Sequence, residues 1–197
     1  NVLHIDRDRR ELWIQTAGRE AGRNPYYCDI CRVNIDTGEL VTVLASDHEY
    51  VACDQRSRHS MPAPQAMGVS PSGNFVVATR SRVDQVPVSV LVDRDGHQHS
   101  LETATISGLP EDVNWPEPVM LKAADGKTDT YGVIFRPSNF DPSQRYPVLD
   151  CTYNYATPVG SFTNNTTGER HYLSAWAYAE LGFICVMIFN RGNEGLR

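Results

Sequence analysis

Short alternating runs fill the first hundred residues. Glu11–Ala17 (ELWIQTA) alternates apolar and polar side chains and ends at Gly18, and Tyr27–Asp36 (YCDICRVNID) and Glu39–Ser46 (ELVTVLAS) follow the same rule on either side of the turn Asp36-Thr37-Gly38. A period of two is that of a strand with one face buried. Glycine at the turn adopts a positive φ at little cost. The pattern then returns: Ser70-Pro71-Ser72-Gly73 leads into Asn74–Thr79 (NFVVAT), Val88–Val92 (VSVLV) follows, and the turn Asp93-Arg94-Asp95-Gly96 leads into His99–Thr103.

Two units of about 40 residues, each with three or four short strands, predict antiparallel meanders of the kind that build the blades of a β-propeller. Two blades do not close a ring, so residues 1–108 are expected to be either the last blades of a larger one or a small open sheet. Residues 109–118 read as a linker, because prolines at 110, 116 and 118 disfavour both helix and central strand.

The periodicity changes after the linker. Val119–Ala123 and Asp129–Arg136 are two strands around the Asp125-Gly126 turn, which predicts a hairpin. Tyr146–Tyr153 (YPVLDCTY) is a third strand with an apolar centre. Arg170–Leu181 places Tyr172, Leu173, Trp176, Ala179 and Glu180 at helical spacing and stops at Gly182, a good residue for the position after a helix end. Phe183–Phe189 (FICVMIF) is a continuous apolar run, as in strands covered on both faces. Strand, crossover helix and buried strand make a β-α-β unit. The predicted fold class is therefore β plus α/β: blade-like meanders followed by a domain with a β-α-β unit over 119–197.

Composition narrows the function. There are 18 basic and 24 acidic side chains, a net charge of −6, which argues against a nucleic-acid partner. No apolar run approaches the roughly 20 residues of a membrane-spanning helix. The chain opens on Asn1-Val2-Leu3-His4 without a basic-then-apolar leader, so no targeting segment assigns a compartment, and periplasmic, extracellular and cytoplasmic settings all remain open. The five cysteines are an odd set and not a disulfide framework. Cys28-x-x-Cys31 has the spacing of half a zinc site, but no second pair follows and His48 and His59 lack ligand spacing. On a strand, residues three apart face opposite sides, so the pair reads as two ordinary strand residues, and no metal or cofactor is expected.

Four stretches, in order, resemble the prolyl oligopeptidase family of serine peptidases, most closely its dipeptidyl peptidase IV-like branch. They are GREAGRNPYY, SPSGNFVVATRSRVDQVPVSVLVDRDG, KAADGKTDTYGVIFRPSNFDPSQRYPVLD and AELGFICVMIFNRGNEGLR. The resemblance implies a propeller capping an α/β-hydrolase domain, and cleavage of short peptides, often after proline or alanine near the N-terminus. It also implies a Ser-His-Asp triad with the serine on a G-x-S-x-G elbow.

No G-x-S-x-G occurs in the 197 residues. The resemblance therefore places nucleophile, triad Asp and triad His beyond residue 197, and the acidic motif for the substrate's free amine before residue 1. The chain alone is expected to be inactive. One catalytic position falls inside it. In the family a tyrosine after the Tyr-Pro strand helps form the oxyanion hole. Counting from Tyr146-Pro147 that residue is Tyr153; counting back from Pro158 it is Tyr155. The strand fixes the first count, so Tyr153 is preferred.

Asn190-Arg191-Gly192-Asn193 stands where relatives carry an acidic loop, and Asn190 replaces the acid. Arg191, Arg197, His48 and His171 read as surface residues, and Asp150 as structural at a strand end. Asn164 and Asn165 each satisfy N-x-T, which matters only in a secreted eukaryotic protein. The expected partner is a peptide substrate. Open strand edges also suit a second copy of the chain or the rest of the protein. The alternative function is a non-catalytic interaction module of the same architecture, which the sequence after Arg197 would distinguish.

Overall fold

The computed structural model describes residues 1–52, 68–107, 111–152, 162 and 175–188. The chain is mostly β-sheet and packs as two compact units, Asn1–Ser81 with Pro87–Ala104, and Arg82–Val86 with Thr105–Arg197. Among the described residues no helix is long and apolar enough to cross a membrane.

The first unit holds two four-stranded sheets. One is the meander β1 (Val2–Asp6), β2 (Glu11–Ala17), β3 (Cys28–Asn34) and β4 (Leu40–Leu44), antiparallel throughout. The other runs β5 (Glu49–Val51), β6 (Phe75–Arg82), β7 (Gln85–Asp93) and β8 (Gln98–Thr103), with antiparallel β5–β6 and β7–β8 pairs. Their apolar faces meet in one core that includes Trp13, Ile30, Leu44, Tyr50, Val76 and Val92. Each residue comes from the inward set of a period-two strand, and this burial drives the pairing. Gln15 crosses the core and donates its amide to the Tyr50 carbonyl at 3.3 Å.

The second unit contains one mixed four-stranded sheet. β9 (Glu117–Lys122) and β10 (Asp129–Phe135) form the expected hairpin. β9 starts two residues inside the stretch read as linker and contains Pro118. It is an edge strand, where a missing N–H costs no ladder bond. β12 (Ile184–Ile188) runs antiparallel to β10 and parallel to β11 (Val148–Asp150).

The helix α1 (Ala175–Glu180) lies between β11 and β12 in the chain and packs on β12. It buries Ala175, Trp176 and Ala179, and Gly182 follows at φ 95°, as a left-handed helix end requires. The part of the predicted helix before Ala175 lies outside the described residues. β12 differs from its expected burial on both faces: Cys185 and Met187 are buried, while Ile184, Val186 and Ile188 are half-buried.

Candidate functional site

The parallel pair β11–β12 sends the carboxyl ends of both strands in one direction. In open sheets with parallel strands, ligands bind outside those ends. Pro147 has no N–H, and its carbonyl accepts the first bond, from Ile184 N–H at 2.9 Å. The ladder then pairs Val148 with Ile184, Leu149 with Cys185 and Asp150 with Val186, and the Cys151 N–H reaches the Val186 carbonyl at 2.8 Å.

Here the backbone pattern breaks. The Thr152 N–H donates to Asp150 Oδ1 at 2.9 Å, a local turn that takes the chain out of the strand. The Ile188 N–H donates to Thr152 Oγ1 at 3.0 Å. A side-chain hydroxyl thus supplies a rung between the two strands.

An open cleft of about 480 Å³ lies along β11, lined by Leu149, Asp150, Cys151, Thr152, Tyr178, Leu181 and Phe183. Cys151 and Cys185, on the same sheet face, are both buried. Burial, then the neighbouring sulfur, pushes the Cys185 thiol up to about 12, and burial also raises Cys151. Both are thiols at neutral pH, so neither is a ready nucleophile. Nearby, Trp115, Phe162 and Trp176 form an aromatic cluster with centroids 5.6–6.1 Å apart.

The approach to β11 is also fixed by side chains. The Tyr146 hydroxyl accepts the Asp141 N–H at 2.8 Å and its ring packs on Phe140 at 5.2 Å, while Arg136 lies 5.1 Å over Phe140. Glu180 of α1 accepts both the N–H (3.1 Å) and the hydroxyl (2.9 Å) of Ser138.

Tyr153 and Tyr155, the expected oxyanion donors, lie outside the described residues, as do His59, Asn164, Asn165, His171, Asn190, Arg191 and Arg197. Asp150 and Thr152 are described, and they lead directly to position 153. Asp150 is exposed and ends β11. His48 Nδ1 lies 3.0 Å from Ser46 Oγ. Cys31 is buried and accepts from Arg19 Nη1 at 3.3 Å, whereas Cys28 is half-exposed. Three residues apart on β3, they face opposite ways and share no site.

The group of described residues that could hold a metal is Asp93, Asp95 and His97 in the β7–β8 turn, with ligand atoms within 4.8 Å of one another. The Asp93 carboxylate is already used by the turn: it accepts the N–H groups of Asp95 (2.9 Å) and His97 (3.0 Å), and lies 2.9 Å from His97 Nδ1. Sequence reasoning read this stretch only as a turn. The His97 ring four residues after Asp93 was the available signal for more.

No family model matches the chain, and no curated protein matches it by sequence. Solved structures do match. A protein from Bacteroides ovatus described as a dipeptidyl aminopeptidase IV superposes with a TM-score of 0.72 over 98% of this chain at 22% identity. Dipeptidyl peptidase 4 of Porphyromonas gingivalis does so with a TM-score of 0.65 over 98% at 17% identity. The chain spans 25% and 24% of those two chains, about a quarter of each. At these identities the likeness is one of fold: this chain folds as a segment of dipeptidyl peptidase IV structures does.

Proposed function

We propose that the chain is the junction of a dipeptidyl peptidase IV-like serine peptidase. In this reading residues 1–108 are propeller blades, 109–118 a linker and 119–197 the start of an α/β-hydrolase domain. A Ser-His-Asp triad carried outside the 197 residues hydrolyses short peptides. The serine attacks the scissile carbonyl, the histidine takes its proton and returns it to the leaving amine, and the aspartate orients the histidine.

One observation carries the reading. β11 is the third strand of its sheet in chain order, and position 153 falls in the stretch of sequence between it and α1. In α/β-hydrolases the loop after the third strand supplies part of the oxyanion hole. A phenol O–H at Tyr153 would serve there as the donor toward the developing O⁻, with Tyr155 as the second candidate. The fold likeness to dipeptidyl peptidase structures over 98% of the chain supports the same assignment.

The test is Tyr153→Phe in the complete protein, assayed on dipeptidyl chromogenic substrates with proline or alanine in the second position. Loss of one oxyanion donor is expected to lower kcat by about 100-fold, roughly 3 kcal/mol, with little change in KM. An unchanged kcat removes Tyr153 from the oxyanion hole. Absence of hydrolysis together with absence of labelling by a fluorophosphonate serine probe rejects the peptidase reading in favour of a non-catalytic module.

A further inference from the structure

We propose that Cys151, Cys185 and Met187 form a binding site for copper(I), entered from the cleft along β11. Counting thioether sulfur among the donors adds this second group to the Asp93, Asp95 and His97 turn. None of the three sulfurs has a role in the peptidase reading, so the inference stands apart from it.

The register places the sulfurs together. Leu149 pairs with Cys185, and the Cys151 N–H bond to the Val186 carbonyl at 2.8 Å carries the parallel ladder one step further, so Cys151 stands beside Met187. Cys185 and Met187 are two residues apart on β12, and Cys151 is two beyond Leu149. All three side chains therefore leave the same sheet face. Cys185 and Met187 are buried, and Cys151 is buried but for the part that lines the cleft, beside Leu149, Thr152 and Tyr178.

A strand spacing of about 4.8 Å and a rise of about 3.3 Å per residue put the two cysteine Cα atoms about 8 Å apart on the diagonal. A disulfide needs a separation below about 7 Å. The pair is thus poorly set to oxidise to itself and better set to share an ion between its sulfurs.

Thiol and thioether donors select copper(I) over hard cations. Structural zinc asks for four donors. Asp150 points to the opposite face of β11, and the cross-strand neighbours of Cys185 and Met187 on β10 are Phe135 and Val133, both fully buried. Three soft donors among apolar side chains suit a cation of low coordination number. Binding exchanges one proton for the cation: Cu⁺ and one thiol give a neutral copper thiolate and H⁺, with no change of oxidation state. Loss of the second proton would leave a net negative charge in an apolar surrounding, which burial opposes. The other thiol and the Met187 thioether then complete the site as neutral donors. Burial likewise keeps both thiols protonated until a cation arrives.

The test is competition for copper(I) between the complete protein and bicinchoninate, under anaerobic ascorbate, with released protons followed in weak buffer. The parent is expected to withdraw one equivalent that depends on the three sulfurs, with about one proton released per copper. Cys151→Ala and Cys185→Ala should each weaken that uptake by about 100-fold or more, and Met187→Leu by about tenfold. Cys28→Ser, which removes the half-exposed thiol, should bind as the parent does. Urea denaturation shows which variants fold. If an alanine variant does not fold, Met187→Leu, which nearly conserves core volume, decides. No uptake by the folded parent, parent-like uptake by any folded variant of the three, or loss of the uptake in Cys28→Ser overturns the site. Peptidase activity enters none of these readings, so the proposed function stands or falls separately.

Discussion

The Glu11 carboxylate at the start of β2 is clasped by Arg94, which lies 83 residues later in the β7–β8 turn, and so ties the two sheets of the first unit. Arg32 of β3 donates to the same carboxylate at 3.1 Å and also reaches the Arg94 carbonyl at 3.1 Å. Arg94 donates in addition to the Gly73 carbonyl at 2.9 Å. Burial works against the Glu11 charge, but Arg94 and then Arg32 outweigh it and hold the carboxyl below its ordinary range. A carboxylate with a lowered folded pKa contributes stability that is present above the unfolded value and is lost as pH falls through the folded one. Glu11→Gln is therefore expected to cost about 2 kcal/mol at neutral pH, between an exposed pair and a fully buried one. The difference from the parent should shrink on acidification below about pH 4. Urea denaturation across pH measures it, and a pH-independent difference would contradict the ion-pair account.

Gly132 on β10 marks a second constraint. A Cβ there would stand 2.5 Å from the Met187 carbonyl oxygen and 2.7 Å from Ile188 Cδ1. The nearer obstacle is backbone of the neighbouring strand, so it cannot swing aside as a side chain would. Gly132→Ala is expected to destabilise the second unit by about 2 kcal/mol or more, read as a lower urea midpoint. Pro118, on the open edge of the same sheet, should tolerate alanine with a change under about 0.5 kcal/mol. Equal effects at the two positions would show that the close approach of β10 to β12 is not what limits residue 132.

The parts of the fold that follow a clean period are the parts that can be read from the sequence. β2 is expected and observed over the same residues, Glu11–Ala17, because every second side chain faces the core and Trp13 anchors the register. β1 escapes the pattern: a bulge between Val2 and His4 shifts its register, and a buried Asp6, bonded to Arg9, occupies an inward position. β5 is three residues long and begins with a buried Glu49, too short and too polar to stand out. β11 is shorter than Tyr146–Tyr153 because pairing begins after Pro147 and the Asp150 carboxylate draws the Thr152 N–H away. The bond from the Ile188 N–H to the Thr152 hydroxyl is likewise invisible in the sequence. A threonine late in an apolar run reads as a strand former, and nothing local reveals that its hydroxyl stands in for a carbonyl. The choice of Tyr153 rests only on the count from the Tyr-Pro strand start, and the residue lies outside the described ones.

Burial ranks the four described cysteines in reactivity. Cys28 is half-exposed, while Cys31, Cys151 and Cys185 are buried. Thiolate is the attacking species, and burial that raises a thiol pKa suppresses it as well as blocking access. Alkylation with iodoacetamide at pH 8, followed by peptide mass mapping, is expected to modify Cys28 first. Cys151 and Cys185 should stay unmodified until denaturant is added. Labelling of Cys185 at the rate of Cys28 would contradict both its burial and its raised thiol pKa.

The Asp93–His97 pair makes a prediction with the opposite sign. His97 Nδ1 lies 2.9 Å from Asp93 Oδ2, and the hydrogen bond and then the charge of Asp93 raise the imidazole above its ordinary value of 6.5. The same bond holds Asp93 low, helped by the N–H groups of His97 and Asp95. A raised folded pKa means that the folded chain binds the proton more tightly than the unfolded one. The contribution is fully present below the unfolded histidine value and disappears as pH rises through the folded one. Because His97 is exposed, solvent screens the pair and its effect on stability is small. The sensitive measurement is therefore the titration of the His97 ring by NMR. Its midpoint is expected above 6.5 and should fall toward that value in Asp93→Asn, which keeps the turn's acceptor and removes the charge. A midpoint at or below 6.5 in the parent chain would show that the carboxylate serves only the turn's N–H groups and does not bind the imidazolium.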